Sequence, residues 1–445
     1  MIYINNKANE AMREVYLDHA ATTYLDPRVK EAMEPYWTED FGNPSSLYRT
    51  GRRAKDALDS ARETVARILA CRGDEIVFTG GGTEAINLAL LGTARMYSGL
   101  GKHIITSKIE HHAVLHACAA LEKEGFEVTY LDVDEYGLVN PESVRNALRP
   151  DTIIVAIMYA NNEIGTIEPI AQIANVIRDF KKQKAENTPK IVDDPRFAAR
   201  NMPLFFTDAC QAAGVLDMKV GDLGVDLLAF NGSKIYGPKG VGCLYMKKGV
   251  RVKPLLYGGG QENNIRSGTE NVPGIVGLAK AFEIAEREQE EENKRLAGLR
   301  DYFIREITAR IPKIVLNGHP EKRLPNNVNI SVLDIEGEAA LLYLDEKGIY
   351  ISTGSACTST TLDPSHVILA LGRPYEYAHG SLRFTLGKRT TKEDLDYVLE
   401  MFPQIIEKLR KISPIVMELG QDAISHPEAF AGERAKLKVG GKNYK

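Results

Sequence analysis

Tryptophan occurs once and cysteine only five times in these 445 residues. An odd number of cysteines without framework spacing excludes a disulfide-stapled secreted domain. Long apolar runs are missing too. The longest, residues 153–160, falls far short of the roughly 18 residues a membrane helix needs. The opening Met-Ile-Tyr-Ile-Asn-Asn-Lys has no apolar stretch of the kind that leads a secretory signal. Neither sign of charge dominates, with 56 Lys and Arg against 60 Asp and Glu and a formal net charge of −4. Lacking a basic field, the chain is not expected to bind nucleic acid directly. No internal repeat is present. What remains, 44% hydrophobic and 26% charged, describes a soluble chain expected in the cytoplasm and off the membrane.

Short β-rich apolar runs alternate with helical patterns from about Asp74 onward. Residues 75–79, 102–106, 126–131, 152–158, 204–207, 227–230 and 241–246 read as strands, with helices at 84–97, 113–125 and 141–148. The unbroken apolar run 152–158 suits a strand buried on both faces of a parallel sheet. The alternation predicts an α/β fold with a mainly parallel sheet between helices. Residues 181–202 break the pattern: polar, carrying Pro189 and Pro195 and following neither period, they are expected to be an exposed insertion. A long helix over 276–311 then leads into a second part. That part reads as strand 328–332, helix 338–347, strand 349–352, a small-residue loop, strand 381–386 and a last helix, where Thr390 and Glu393 have capping-box spacing. The expected division is an N-terminal segment 1–23 joining the small domain, a large domain 24–280, a smaller α+β domain 281–426 and a loose tail 427–445.

Three short elements carry chemistry. Thr79-Gly-Gly-Gly-Thr-Glu84 lies between a predicted strand and a predicted helix, where backbone N–H groups and the helix start favour an anion. It fits neither the dinucleotide nor the nucleotide-loop pattern, leaving a single phosphate group as occupant, or an ordinary tight turn. Asp208, in Thr207-Asp-Ala-Cys-Gln, follows a strand on the edge where α/β sheets bind ligands, unless it merely caps a helix. Lys234, in Asn231-Gly-Ser-Lys-Ile-Tyr-Gly, follows the next strand among small residues. There its amine can be desolvated and nucleophilic, unless it is simply solvated. Combined, a phosphate cradle, a strand-end carboxylate and a strand-end amine 26 positions later match the needs of pyridoxal phosphate: a phosphate site, a pyridinium partner and a Schiff-base amine.

Longer motifs stand around these elements: Tyr16-Leu-Asp-His-Ala-Ala-Thr-Thr, Phe41-Gly-Asn-Pro-Ser, Thr106-Ser-Lys-Ile-Glu-His-His-Ala-Val-Leu, Asn161-Asn-Glu-Ile-Gly, Arg266-Ser-Gly-Thr and Ser352-Thr-Gly-Ser-Ala-Cys-Thr-Ser. From Tyr16 to about Pro414 the chain resembles the cysteine desulfurases of the NifS/IscS type. These belong to the class V aminotransferase group of fold-type-I pyridoxal phosphate enzymes. The resemblance implies a large domain with a mainly parallel sheet and a smaller α+β domain. It also implies removal of sulfur from L-cysteine, giving L-alanine and a persulfide on Cys357.

Roles follow from the same resemblance. Lys234 would carry the cofactor and move protons, Asp208 would pair with the pyridine nitrogen, and His111 would stack on the ring and shuttle protons. Asn162 and Gln211 would hydrogen-bond the substrate side and the cofactor's phenolic oxygen. Gly82, Thr83, Ser233 and Asn231 would hold the phosphate, and Thr269 would reach the phosphate in a partner subunit. Arg383 would clamp the substrate α-carboxylate through its planar fork. No metal is implied. A homodimer is implied, as is a sulfur-acceptor protein serving iron–sulfur assembly or tRNA thiolation. The family commonly reads Ser-Gly-His-Lys where this chain has Asn231-Gly-Ser-Lys, so an imidazole donor is replaced by neutral ones. The rival readings are an aminotransferase or selenocysteine lyase of the same fold, and a sulfur-relay scaffold without turnover. Cys357, in a loop too small and polar to be core, speaks against the aminotransferase.

Overall fold

The computed structural model describes residues 13–186, 202–353, 364–413 and 419. After a two-residue strand β1 (Val15–Tyr16), the chain builds β2 (Ile76–Thr79), β3 (His103–Ser107), β4 (Glu127–Leu131), β5 (Thr152–Ala156), β6 (Leu204–Asp208), β7 (Leu227–Asn231) and β8 (Gly242–Met246). These last seven form one sheet in the order β2-β8-β7-β6-β5-β3-β4. Strand β8 runs against its neighbours, pairing antiparallel with β2 and β7. Successive side chains feed two cores: Ile105, Val155, Phe205 and Phe230 lie in one buried cluster, Ile104, Ile154, Phe206 and Ala229 in another. Helices Arg49–Leu69 and Ile170–Glu186 and the front of helix Val272–Arg310 cover the first face. Helix His112–Lys123 is among those covering the second. Burial on both faces is why the central strand β5 reads as an unbroken apolar run, whereas the edge strand β4, with Glu127 exposed, alternates; each buried Leu, Ile or Phe contributes about 1.5–3 kcal/mol.

A second sheet, ordered β12-β13-β10-β9, contains β9 (Ile314–Leu316), β10 (Asn327–Val332), β12 (Ser352–Thr353) and β13 (Ser381–Thr385). It shares a core with helix Lys392–Ile412 and the rear of helix Val272–Arg310, built on Phe303, Ile307, Phe384, Leu395 and Phe402. Val15 and Leu17 join that core, and β1 pairs in parallel with β11 (Ile349–Tyr350). The expected single strand at 349–352 is therefore two, Tyr350 standing beside Tyr16 and Ser352 beside Arg383.

The structure corrects the ends of the expected insertion at 181–202. Helix Ile170–Glu186 runs past Lys181, carried by the buried stripe Ile170, Ile173, Val176 and Ile177. Lys181 pairs with the buried Asp226 at 2.9 Å, and Met202 is 2% exposed. Residues 187–201 lie outside the described ones, as do Cys357 and the tail 427–445. The capping box of the last helix sits one residue later than expected: Thr391 Oγ accepts from the Asp394 N–H, and the Asp394 carboxylate accepts from the Thr391 N–H. Thr390 instead closes the preceding turn, its hydroxyl accepting from the Gly387 N–H at 2.9 Å. The helix expected over 84–97 begins at Gly82 and widens at Leu88–Gly92 before resuming. No helix among the described residues is long and apolar enough to cross a membrane.

Candidate active site

Five strands deliver their carboxyl ends to one edge of the large sheet, the edge where open α/β sheets bind ligands. From β2 the chain enters Gly80-Gly81-Gly82, from β3 it reaches His111, and from β5 it reaches Asn161 and Asn162. Strand β6 ends on Asp208, and β7 ends on Asn231 with Gly232–Lys234 forming the tight turn after it.

The glycine loop is pressed onto its neighbours. Gly242, first in β8, stands between Thr79 and Asn231 in register. A Cβ there would lie 2.5 Å from the Gly81 carbonyl carbon, so only glycine lets loop and strand approach. At Gly82 a Cβ would come within 2.9 Å of both Asn231 Nδ2 and Cys210 Sγ. Ser233 Oγ donates to Asn231 Oδ1 at 3.4 Å, which leaves the Asn231 NH2 turned to the loop. Thr83 is exposed on the first turn. Backbone N–H groups, an amide and a hydroxyl thus converge on a place suited to an anion.

Lys234 Nζ donates to the carbonyl of Ala20 at 2.7 Å and to that of Ala21. Asp208 is 5% exposed, and its Oδ1 accepts from the Cys210 N–H at 2.9 Å. His111 caps helix His112–Lys123, its Nδ1 accepting from the Ala113 N–H at 3.1 Å, so the neutral ring carries its proton on Nε2. Burial pushes the His111 pKa down, with Asp208 opposing and Lys234 reinforcing that shift. The ring therefore lies within the fields of both groups.

Arg383 on β13 is 5% exposed; Nη1 donates to the Asn162 carbonyl at 2.9 Å and Nη2 to Asp18 Oδ1 at 2.7 Å. Its Nε has no partner among the described residues. Gln211 Nε2 donates to the Ala20 carbonyl at 3.0 Å. Thr269 is exposed, on a stretch tied to the glycine loop through Arg266, which pairs with Glu84 at 2.8 Å. The thiols of Cys71, Cys118, Cys210 and Cys243 are free, and burial pushes each pKa up, that of Cys71 to about 12. A shallow cavity of about 320 Å³ nearby is lined by Thr83, Asn87, His111, His112 and His116. No cluster of acidic, His or Cys side chains among the described residues is arranged to hold a metal ion.

Sequence reasoning missed several groups here. Asp18 and the Ala20 and Ala21 carbonyls touch Arg383 and Lys234. Thr23 Oγ donates to the Ser233 carbonyl at 3.0 Å and accepts from the Tyr236 N–H at 2.9 Å. Motif Tyr16–Thr23 was the only signal, and a bond to a backbone carbonyl leaves no mark in residue identity. Two buried carboxyls were also missed. Glu110 accepts from Ser107 Oγ at 2.7 Å and the Met158 N–H at 2.9 Å, and burial pushes it up to about 8. Glu163 is pushed up to about 7 by burial, against Ser365 and Arg383.

Against known proteins, the family described as Aminotransferase class-V matches residues 15–185 and 192–398. The chain is 52% identical over 406 residues to "Cysteine desulfurase IscS" of Dictyoglomus turgidum, covering 91% of this chain and 98% of that one. It is 52% identical over 403 residues to the protein of the same name from Methanosarcina thermophila, covering 91% and 94%. Among solved structures, a "NIFS-LIKE PROTEIN" superposes with a TM-score of 0.80 at 36% identity, covering 89% of this chain and 100% of that one. A structure described as "SspA in complex with cysteine" superposes with a TM-score of 0.70 at 34% identity, covering 83% and 98%.

Proposed function

This chain belongs to the class-V aminotransferase family, and we infer that it is a pyridoxal phosphate-dependent cysteine desulfurase, converting L-cysteine to L-alanine and leaving the sulfur as a persulfide. The observation that carries the reading is the meeting of Lys234, Asp208 and His111 with the glycine loop at one sheet edge.

The residues present fit the cofactor. Gly82 leaves a cradle that a Cβ would fill, Asp208 is a buried carboxylate at a strand end, and Lys234 is an amine at the next. When bound, pyridoxal phosphate supplies the electron sink that lets the α-carbon of L-cysteine give up its proton. Lys234 would hold it covalently, Asp208 would keep its ring nitrogen protonated, and Gly82, Thr83, Asn231 and Ser233 would donate to its phosphate. Gln211 and Asn162 would orient its phenolic oxygen and the substrate. Arg383 binds the α-carboxylate with a planar fork, a geometry lysine cannot reproduce. Lys234 Nζ takes and returns the α-proton, and His111, neutral with its proton on Nε2, relays protons beside it. The Cys357 thiolate forms a bond to the substrate sulfur as the carbon–sulfur bond breaks, the electron pair staying with carbon, which is then protonated to alanine. The raised pKa values of the other four thiols support Cys357 as the acceptor, since none of them favours a thiolate.

The division proposed is a domain 24–280 and a domain 281–426, with 1–23 joining the smaller; the separate cores of the two sheets support it, although helix Val272–Arg310 carries the first core on to Ile284. A homodimer is supported by the exposed apolar side chains of Trp37, Phe41, Leu47, Tyr48 and Tyr257. Thr269, exposed here, would then face the partner's phosphate. Free thiols suit a reducing compartment, the cytoplasm, and the persulfide sulfur would pass to an acceptor protein for iron–sulfur assembly or tRNA thiolation. Incubating the purified protein with L-cysteine tests the reading. With an excess of a small thiol to reduce the persulfide, alanine and sulfide in equal amounts are expected, with alanine falling to background in Cys357→Ala. A keto acid product would make it an aminotransferase, turnover confined to selenocysteine a lyase, and no turnover a scaffold.

A further inference from the structure

The chain on either side of Cys357 is fixed by contacts of the described residues. On the N-terminal side, Ser352 stands opposite Arg383 in the β12–β13 pairing. On the C-terminal side, the buried Ser365 caps helix His366–Ala370, its hydroxyl oxygen accepting from the Ile368 N–H at 3.2 Å. The same hydroxyl donates to Glu163 Oε2 at 2.5 Å. Glu163 is itself locked in place. Its N–H donates to Asn161 Oδ1 at 2.8 Å, and its carbonyl accepts from Asn327 Nδ2 at 3.0 Å and Asn329 Nδ2 at 3.1 Å. His366 adds a second tie, its Nε2 donating to the carbonyl of Glu110, the residue before His111, at 3.0 Å. The apolar face of the same helix, Val367, Ile368 and Leu371, packs with Ile109, Met158 and Ile164.

Capping a helix needs only the serine. A carboxyl that is 5% exposed costs free energy to bury, so its presence against Ser365 calls for a gain elsewhere. That gain is geometric: Glu163 follows Asn162, whose carbonyl holds Arg383, so one turn grips both the substrate clamp and the chain that returns from Cys357. We propose that Glu163 is a positioning residue, setting through Ser365 where the chain beyond Cys357 rejoins the site and hence how well the thiol meets the substrate sulfur. The proposal rests on the reading of Cys357 as sulfur acceptor.

The test uses full-length, cofactor-loaded protein and two rates. Exchange of the α-hydrogen of L-alanine with solvent deuterium needs Lys234 and Arg383 but no thiol. Alanine release from L-cysteine needs Cys357 as well. Glu163→Ala and Ser365→Ala are each expected to slow alanine release about tenfold while leaving exchange within about twofold, and the double variant should be no slower than the worse single one. Glu163→Gln should recover most of the rate, because its amide oxygen still accepts from Ser365. Exchange and release falling together would overturn the proposal in favour of general structural support, as would release unchanged in Glu163→Ala. If Glu163→Ala does not fold, Ser365→Ala and Glu163→Gln decide by the same two rates. Absence of alanine from the unaltered protein would instead refute the desulfurase reading itself.

Discussion

Replacing Gly82 by alanine should separate cofactor binding from folding. The new methyl would lie 2.9 Å from Asn231 Nδ2 and 2.9 Å from Cys210 Sγ, closer than carbon tolerates. Both atoms are side-chain ends, and Gly82 has no left-handed φ to lose, so the backbone need not move. The overlap relaxes by turning the Asn231 amide out of the cradle. Stability of the cofactor-free protein then changes by about 1 kcal/mol or less, a shift of only a few degrees in Tm for a chain of this size. Cofactor binding loses a charge-assisted hydrogen bond, worth about 1.5–3 kcal/mol, so its Kd should rise roughly 10–150-fold. Equilibrium dialysis followed by absorbance gives the Kd, and calorimetry of the stripped protein gives the Tm. Adding Cys210→Ala opens room beside the methyl and should recover part of the affinity. A Kd unchanged by Gly82→Ala would refute the assignment of this loop to the phosphate, and a collapse of the stripped protein would refute the claim that the clash is local.

Arg383→Lys should raise KM for L-cysteine roughly tenfold, because an ammonium cannot make the paired bonds of the guanidinium fork; steady-state kinetics with KM within twofold of the parent would remove Arg383 from the substrate. Glu262→Gln should cost about 3–5 kcal/mol in urea unfolding, since it leaves Arg62, now paired at 2.5 Å, without its charge partner in a buried setting. Glu262 also accepts from the Phe78 N–H at 2.8 Å, so a loss below about 1 kcal/mol would mean the pair is not a structural anchor. Burial raises the folded pKa of Glu110 to about 8, so its contribution to stability is full below the ordinary glutamate value and is lost as pH rises through about 8. Glu110→Gln should therefore flatten the fall of Tm between about pH 5 and pH 9, and an unchanged slope would show that Glu110 does not titrate there.

How much was legible depended on where each residue's partner lies. The central strands of the large sheet were readable from apolar runs because both of their faces are buried, and the edge strand Glu127–Leu131 from its alternation. Asp208, Lys234 and the glycine loop were readable because each directly follows a strand. The last helix was misread by one residue because Thr390-Thr391 precedes Glu393-Asp394 and offers two capping frames; the local turn from Gly387 to Thr390, which occupies the Thr390 hydroxyl, decides between them. The insertion was begun too early, at Lys181, because the charged end of helix Ile170–Glu186 shows no apolar period and its support, Asp226, lies 45 positions on. The Glu163–Ser365 bond spans 202 positions and has no local pattern at all.

The segment from Tyr16 to Thr23 shows why a motif can be conspicuous while its role stays hidden. Its beginning lies in the two-stranded pairing of β1 with β11, where Tyr16 stands beside Tyr350. Two residues on, Asp18 holds Arg383, which reaches from β13 of the four-stranded sheet to the Asn162 carbonyl. Ala20 and Ala21 then offer carbonyls to Lys234, and Thr23 holds the Ser233 carbonyl beside it. Eight consecutive residues therefore link the carboxylate clamp to the amine across the seam between two hydrophobic cores. Desulfuration needs those two groups at a fixed separation, because one holds the substrate's carboxylate while the other works on its α-carbon. A loop would let the separation drift; a segment hydrogen-bonded at both ends does not. The small alanines fit because the lysine is met by their backbone carbonyls rather than their side chains, so the part of the motif that touches the lysine is the part whose side chains say least.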